Sequence, residues 1–156
     1  AATLDATMVA VSTGGERLIP AADFFETVMT TALAEDELLR EVRIPALASD
    51  TKFGFEEFNR RAGDFGLAMA LVTYRLDGGL MVDPRVGVGG AEDRPRRIAD
   101  AEAALAGKAP GDDAFRAAAN AAAAAIDPME DHNTSAGYRR DLVATMIRRA
   151  LERASA

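Results

Sequence analysis

The chain has 156 residues, 49% hydrophobic and 28% charged, with a formal net charge of −7, a globular balance long enough to bury a real core and unlike fibrous or disordered chains. The acidic excess, concentrated in the first 60 residues, argues against non-specific nucleic-acid binding, which needs Lys and Arg to neutralise phosphates. With no cysteine, the chain itself carries no disulfide framework, thiolate-held zinc or cysteine-held iron–sulfur cluster.

The opening residues, AATLDATMVAV, show neither the basic start nor the cleavage-type sequence of a secretory signal. The lack of an initial Met is read as processing or truncation. No stretch approaches the ~20 apolar residues of a membrane span, and a cytoplasmic setting is expected. In ATMVAVSTGGERLIPA, Met8, Ala10 and Ser12 alternate with Val9 and Val11, Gly14-Gly15 supply a turn, and Arg17-Leu18-Ile19 return before Pro20. This predicts a hairpin. PAADFFETV predicts a short helical turn with Phe24 and Phe25 packed. DELLREVRIP alternates Leu39, Glu41 and Arg43 with Arg40, Val42 and Ile44, a strand stopped by Pro45. ALASDTK is a linker. FGFEEFNRR, GLAMALVTYRL and LMVDPRVGVGG then predict three strands of an antiparallel meander, the last two joined at Asp77-Gly78-Gly79.

From residue 94 the period becomes helical. RPRRIADAEAALAGK has Pro95 near its first turn and Gly107 just past its last apolar position. GDDAFRAAANAAAAAI follows, with Asp112 or Asp113 as N-cap and Pro128 beyond its end. In SAGYRRDLVATMIRRALERA, residues Leu142, Val143, Met146, Ile147, Ala150 and Leu151 form one apolar stripe. Arg139 and Arg140 read as an exposed helix face, or as an anchor of the helices to a neighbouring unit. The order is therefore sheet first, then three helices packing on it.

Little of the sequence suggests bond chemistry. His132, the single histidine, lies in DPMEDHNTS, where Glu130, Asp131 and His132 are too close in sequence to converge readily on a metal. DFG at 64–66 lacks every companion motif of a kinase. GVGGAEDR lacks the G-x-G-x-x-G spacing of a dinucleotide site and reads as a tight exit from a strand. No Ser/His/Asp set or paired catalytic carboxylates stand out, so no catalytic residue and no metal ligand is assigned.

Four stretches in this order, DELLREVRIP, FEEFNRRAGDFGLAMALV, VGVGGAEDRPRRI and GYRRDLVATMIRRAL, resemble the flavin-binding subunit of the molybdenum hydroxylases. That family includes xanthine dehydrogenase, aerobic carbon monoxide dehydrogenase and bacterial dehydrogenases of nicotine and other N-heterocycles. The resemblance covers nearly the whole chain and implies an α+β fold. Residues 1–47 would be the C-terminal part of the second FAD-binding subdomain, and 51–154 a C-terminal domain of three antiparallel strands packed on a three-helix bundle. The family's glycine-rich loops, whose backbone N–H groups wrap the FAD pyrophosphate, have no counterpart here, so the chain looks like the C-terminal portion of such a subunit.

The same resemblance implies the site. The turn after Arg60 and Arg61 would pass beside the isoalloxazine ring, with Phe65 close to it and Asp64 holding the turn that Gly63 permits. From the residues alone, Phe65 could equally fill the core. Leu39 matches a leucine that packs on the flavin, with a plain core role as its other reading. Glu57 stands where several relatives have a lysine near the flavin. The implied function is part of an FAD-dependent oxidoreductase subunit, completing the flavin pocket and relaying electrons from iron–sulfur clusters to an acceptor. FAD belongs to the complete subunit. The molybdenum cofactor and 2Fe-2S clusters are expected on partners, namely a molybdenum-binding large subunit and an iron–sulfur small subunit, alongside an N-terminal FAD-binding portion. The competing reading is a non-catalytic assembly module with no bound cofactor.

Overall fold

The computed structural model describes residues 1–132 and 134–156. A 3-10 turn at Ala2–Leu4 precedes β1 (Thr7–Ser12) and β2 (Gly15–Pro20). Next come a single helical turn, α1 (Ala21–Phe24), a small hairpin, β3 (Phe25–Thr27) and β4 (Thr30–Thr31), and then β5 (Leu38–Arg43). The first sheet has the order β2-β1-β5, antiparallel throughout. Its core is small: Ala6, Met8, Ala10, Ile19, Ala21 and Phe24, with the Phe24 and Phe25 rings edge to face at 5.2 Å. The loop into β5 is stapled to β2 by Glu37, whose carboxylate accepts from Arg17 Nε at 2.9 Å and Nη2 at 2.6 Å and from the Ala34 N–H at 2.8 Å.

The second sheet is built from β6 (Lys52–Phe58), β7 (Ala68–Asp77), β8 (Leu80–Gly89) and β9 (Arg96–Arg97), in chain order and antiparallel. Asp77 pairs with Leu80, so Gly78 and Gly79 form a two-residue turn with φ of 56° and 81°, where glycine avoids the Cβ clash. The ladder shifts register between Thr73 and Arg75. That bulge accommodates Pro84, which cannot donate to a regular ladder.

One face of this sheet carries α2 (Ala99–Leu105), α3 (Asp112–Ala125) and α4 (Ala136–Ser155). Along α4 the six residues of the expected stripe are all buried, and each large apolar side chain there contributes about 1.5–3 kcal/mol. Gly54 permits the close approach of α4 to β6: a Cβ at that position would lie 1.9 Å from the Ala150 carbonyl oxygen. The alanines of α3 serve the same purpose, with Ala118, Ala119 and Ala122 buried. Among the described residues no helix is long and apolar enough to cross a membrane.

Several local expectations are corrected. The first turn is Thr13-Gly14, since Ser12 pairs with Gly15. The helical turn after Pro20 lasts only to Phe24, because the β-branched residues that follow fold into the β3–β4 hairpin. Pro95 does not open a helix: Arg96 and Arg97 pair with Val88 and Gly87, and α2 starts at Ala99. Neither Asp112 nor Asp113 caps α3; Gly111 is its N-cap residue. The exposed-face reading of Arg139 and Arg140 also fails. Arg139 is buried, and Arg140 donates to the carbonyls of Ala123 and Ile126 at 3.0 and 3.3 Å. It thereby satisfies orphan acceptors at the α3 C-terminus, as does Arg96 at Ala125 O.

Candidate functional site

Strand alternation sends Gly54, Glu56 and Phe58 toward the helices and Phe53, Phe55 and Glu57 to the opposite face. Across the sheet, Phe55 aligns with Leu71 and Gly87, and Glu57 with Met69 and Gly89. The first row is covered at one end, where the buried Thr3 sits on Gly87. Asp5 ties this N-terminal turn down through Arg97 at 2.8 Å and Arg85 at 3.2 Å. Toward β6 the face is open and apolar, with Phe53 66% exposed.

The Phe65 turn lies beside the second row. The Asp64 N–H donates to Arg61 O at 3.0 Å, and Gly63 has a φ of 89°, the pattern of a turn that needs glycine at its third position. Gly66 then packs against the Glu57 carboxylate and the Met69 methyl, and Leu67 N–H donates to Phe58 O at 2.8 Å to start β7. The result is a hydrogen-bonded turn with a bare ring: Phe65 is 98% exposed. A cleft of about 530 Å³ adjoins it, lined by Arg60, Arg61, Gly63, Asp64, Phe65 and Leu67, within the ~300–1,000 Å³ range of small-molecule sites.

The four candidate residues are thus distributed over two sheets. Glu57, Asp64 and Phe65 gather at one end of the second sheet. Leu39 lies on β5 of the first, paired with Ala10 and 41% exposed. Neither Phe65 nor Leu39 fills the core of this chain. Asp64 acts in the turn through its backbone N–H; among the described residues its carboxylate has no hydrogen bond or ion pair, and neither Arg60 nor Arg61 has an ion-pair partner. Met69 was not singled out in the sequence, and Gly89 was read there only as part of a tight exit from a strand, although glycines alternating through VGVGG are the signal of a strand approached closely on one face. No group of three or more metal-ligating side chains occurs among the described residues.

These features fit the ring end of a large planar cofactor and not its charged end. An exposed aromatic ring, apolar neighbours and two unpaired arginines suit a partly polar ring system.

The family is shown by comparison with known proteins. Residues 53–154 match the family model of the CO dehydrogenase flavoprotein C-terminal domain, and residues 1–47 that of the FAD binding domain in molybdopterin dehydrogenase. The chain belongs to the family of flavin-binding medium subunits of the molybdenum hydroxylases. It is 32% identical over 149 residues to the glyceraldehyde dehydrogenase medium chain of Sulfolobus acidocaldarius, covering 96% of this chain and 53% of the relative. It is 37% identical over 145 residues to the nicotine 6-hydroxylase medium subunit of Paenarthrobacter nicotinovorans, covering 93% and 50%. The structure superposes with a TM-score of 0.92 on carbon monoxide dehydrogenase from Hydrogenophaga pseudoflava, in a form lacking the Mo-pyranopterin moiety, at 35% identity over 98% of this chain and 53% of that one. The chain therefore spans about half the length of the relatives it matches.

Proposed function

We propose that this chain supplies one wall of the flavin pocket in the FAD subunit of a molybdenum hydroxylase. Residues 1–47 would contribute the end of the second FAD-binding subdomain, and residues 51–154 the domain that closes over the ring. FAD, walled in this reading by Phe65, Leu39 and Met69, would supply reversible two-electron redox chemistry between 2Fe-2S clusters on a small subunit and an acceptor. The clusters in turn serve a large subunit holding the molybdenum cofactor, in a cytoplasmic complex.

The observation that carries this reading is an almost fully exposed Phe65 on a hydrogen-bonded turn beside an open cleft. Baring one ring costs about 1.5–3 kcal/mol of burial, a cost offset when a planar partner covers it. In this reading Phe65 shields one side of the flavin from water, Leu39 approaches it from the first sheet, and Met69 shapes the floor beneath. Glu57, in place of the lysine of several relatives, gives the local field the opposite sign, and Arg60 and Arg61 are the nearby cations that could compensate.

The test is Phe65→Ala in the complete FAD-containing subunit, followed by visible circular dichroism of the flavin and by iodide quenching of its fluorescence. The expected result is a changed visible band and a quenching constant raised about twofold or more as the ring loses its cover. Identical spectra and quenching in the two proteins would reject the assignment.

A further inference from the structure

An exposed ring cannot hold itself in place, so the position of Phe65 has to be set by the backbone on either side. Its C-terminal side is held from below by one buried side chain. Arg139, in the first turn of α4 and 6% exposed, donates from Nη1 to Leu67 O at 3.3 Å and to Gly90 O at 2.9 Å. Its Nη2 donates to Asp131 Oδ2 at 2.7 Å, and its Nε has no hydrogen-bond partner among the described residues. The two carbonyls bridged by Nη1 come from opposite sides of a tight junction. Gly90, with φ of 78°, abuts the Gly66 carbonyl so closely that a Cβ would lie 2.3 Å from that oxygen. Met129, Asp131 and Thr134 complete the clamp: Met129 N–H donates to Ala91 O at 2.8 Å, and Asp131 and Thr134 pair through their backbones.

We propose that Arg139 is a positioning residue, whose buried guanidinium locks the turn bearing Phe65 onto the end of β8 and so sets the ring's position. The proposal rests on the reading that Phe65 faces the flavin. The chemistry needs arginine. A planar fork can serve two carbonyls with one nitrogen while the other meets a carboxylate, whereas a lysine ammonium is a point donor that cannot span the same three acceptors. A residue that merely stapled α4 would loosen the whole helix when replaced. A positioning residue loosens the turn.

The experiment uses the complete FAD-containing subunit with Arg139→Lys, and Asp131→Asn as a milder variant that leaves the arginine in place. Hydrogen exchange is followed at the Asp64 and Leu67 amides, the hydrogen-bonded ones of the turn, with the amides of Met146, Ile147 and Leu151 as internal reference. For Arg139→Lys the turn amides should exchange about tenfold faster, the scale expected for losing a charge-assisted hydrogen bond. The reference amides should stay unchanged, and the flavin dichroism should move toward that of Phe65→Ala; Asp131→Asn should move the turn the same way by less. Equal acceleration in the turn and the reference amides, or no acceleration in the turn, overturns the proposal. A changed flavin signal in Phe65→Ala beside an unmoved turn in Arg139→Lys removes the clamp and keeps the flavin reading. A loosened turn with the flavin signal unchanged in both variants keeps the clamp and removes the flavin reading.

Discussion

Gly54→Ala tests the packing that holds the site's scaffold together. The added Cβ would lie 1.9 Å from Ala150 O, 2.8 Å from Ala150 C and 3.1 Å from Ala154 N, all main-chain atoms of α4. Ordinary contact begins near 3.4 Å, so the helix or the strand must move by roughly 1.5 Å, a shift that an interior at crystal-like density does not absorb locally. It would part Gly54 from α4 along a seam that includes Ile147, Ala150, Leu151 and Ala154. Overpacking of this kind costs up to about 3 kcal/mol, and the reduced freedom of the unfolded chain returns only about 0.4–1 kcal/mol. The net loss of ~2 kcal/mol lowers Tm by about 4–8 °C for a chain of this size. Thermal unfolding followed by far-ultraviolet circular dichroism measures it. The control is Gly137→Ala in the exposed first turn of α4, where the nearest atom is Ser135 Oγ at 3.9 Å and Tm should hold or rise. A Gly54→Ala midpoint within about 2 °C of the parent would show that the seam is looser than described and refute the reasoning.

Other outcomes follow from the same structure. Arg140→Ala strips donors from the Ala123 and Ile126 carbonyls and should cost about 1–3 kcal/mol, read as a lower urea midpoint with an unchanged slope. Arg17 and the Ala34 N–H hold the Glu37 carboxyl down to about 2, against an ordinary value of 4.5. Because the folded value is depressed, this stabilisation is complete above about pH 4.5 and is lost as pH falls toward 2. The Tm difference between the parent and Glu37→Gln should therefore shrink across that window; a constant difference would exclude the linkage. Glu57→Lys, in the complete subunit, should raise the flavin reduction potential by favouring the anionic reduced form, on the order of 30 mV, the two-electron equivalent of ~1.4 kcal/mol. Spectroelectrochemical titration decides the sign.

The strongly periodic parts of the fold were legible in the sequence because period reports burial directly: the α4 stripe, the β7–β8 turn at Gly78-Gly79 and the meander are all present. The misses have a shared cause in tertiary contacts. Arg96 and Arg97 become a strand because the edge of β8 accepts them, which no local propensity reveals. The β3–β4 hairpin is too short for a period to emerge. Arg139 looked like a surface charge because the carbonyls it serves are distant in sequence, at Leu67 and Gly90. The Phe65 turn itself was readable from Gly63 and the switch from charged to apolar residues. Its exposure was not, because a bare ring and a buried ring leave the same trace in one sequence.

Strand β5 carries one more consequence. Among the described residues it pairs with β1 alone, and every residue from Leu38 to Arg43 is exposed. Its other margin offers unspent backbone hydrogen-bonding groups flanked by Leu38, Leu39 and Val42, an invitation to any passing extended peptide. Arg40, Glu41 and Arg43, interleaved among those apolar side chains and linked to Glu16 and one another, are the kind of charged residues that disfavour edge-to-edge pairing. Handled by itself, this polypeptide should stay dispersed in low salt and clump as added electrolyte screens its net charge of −7.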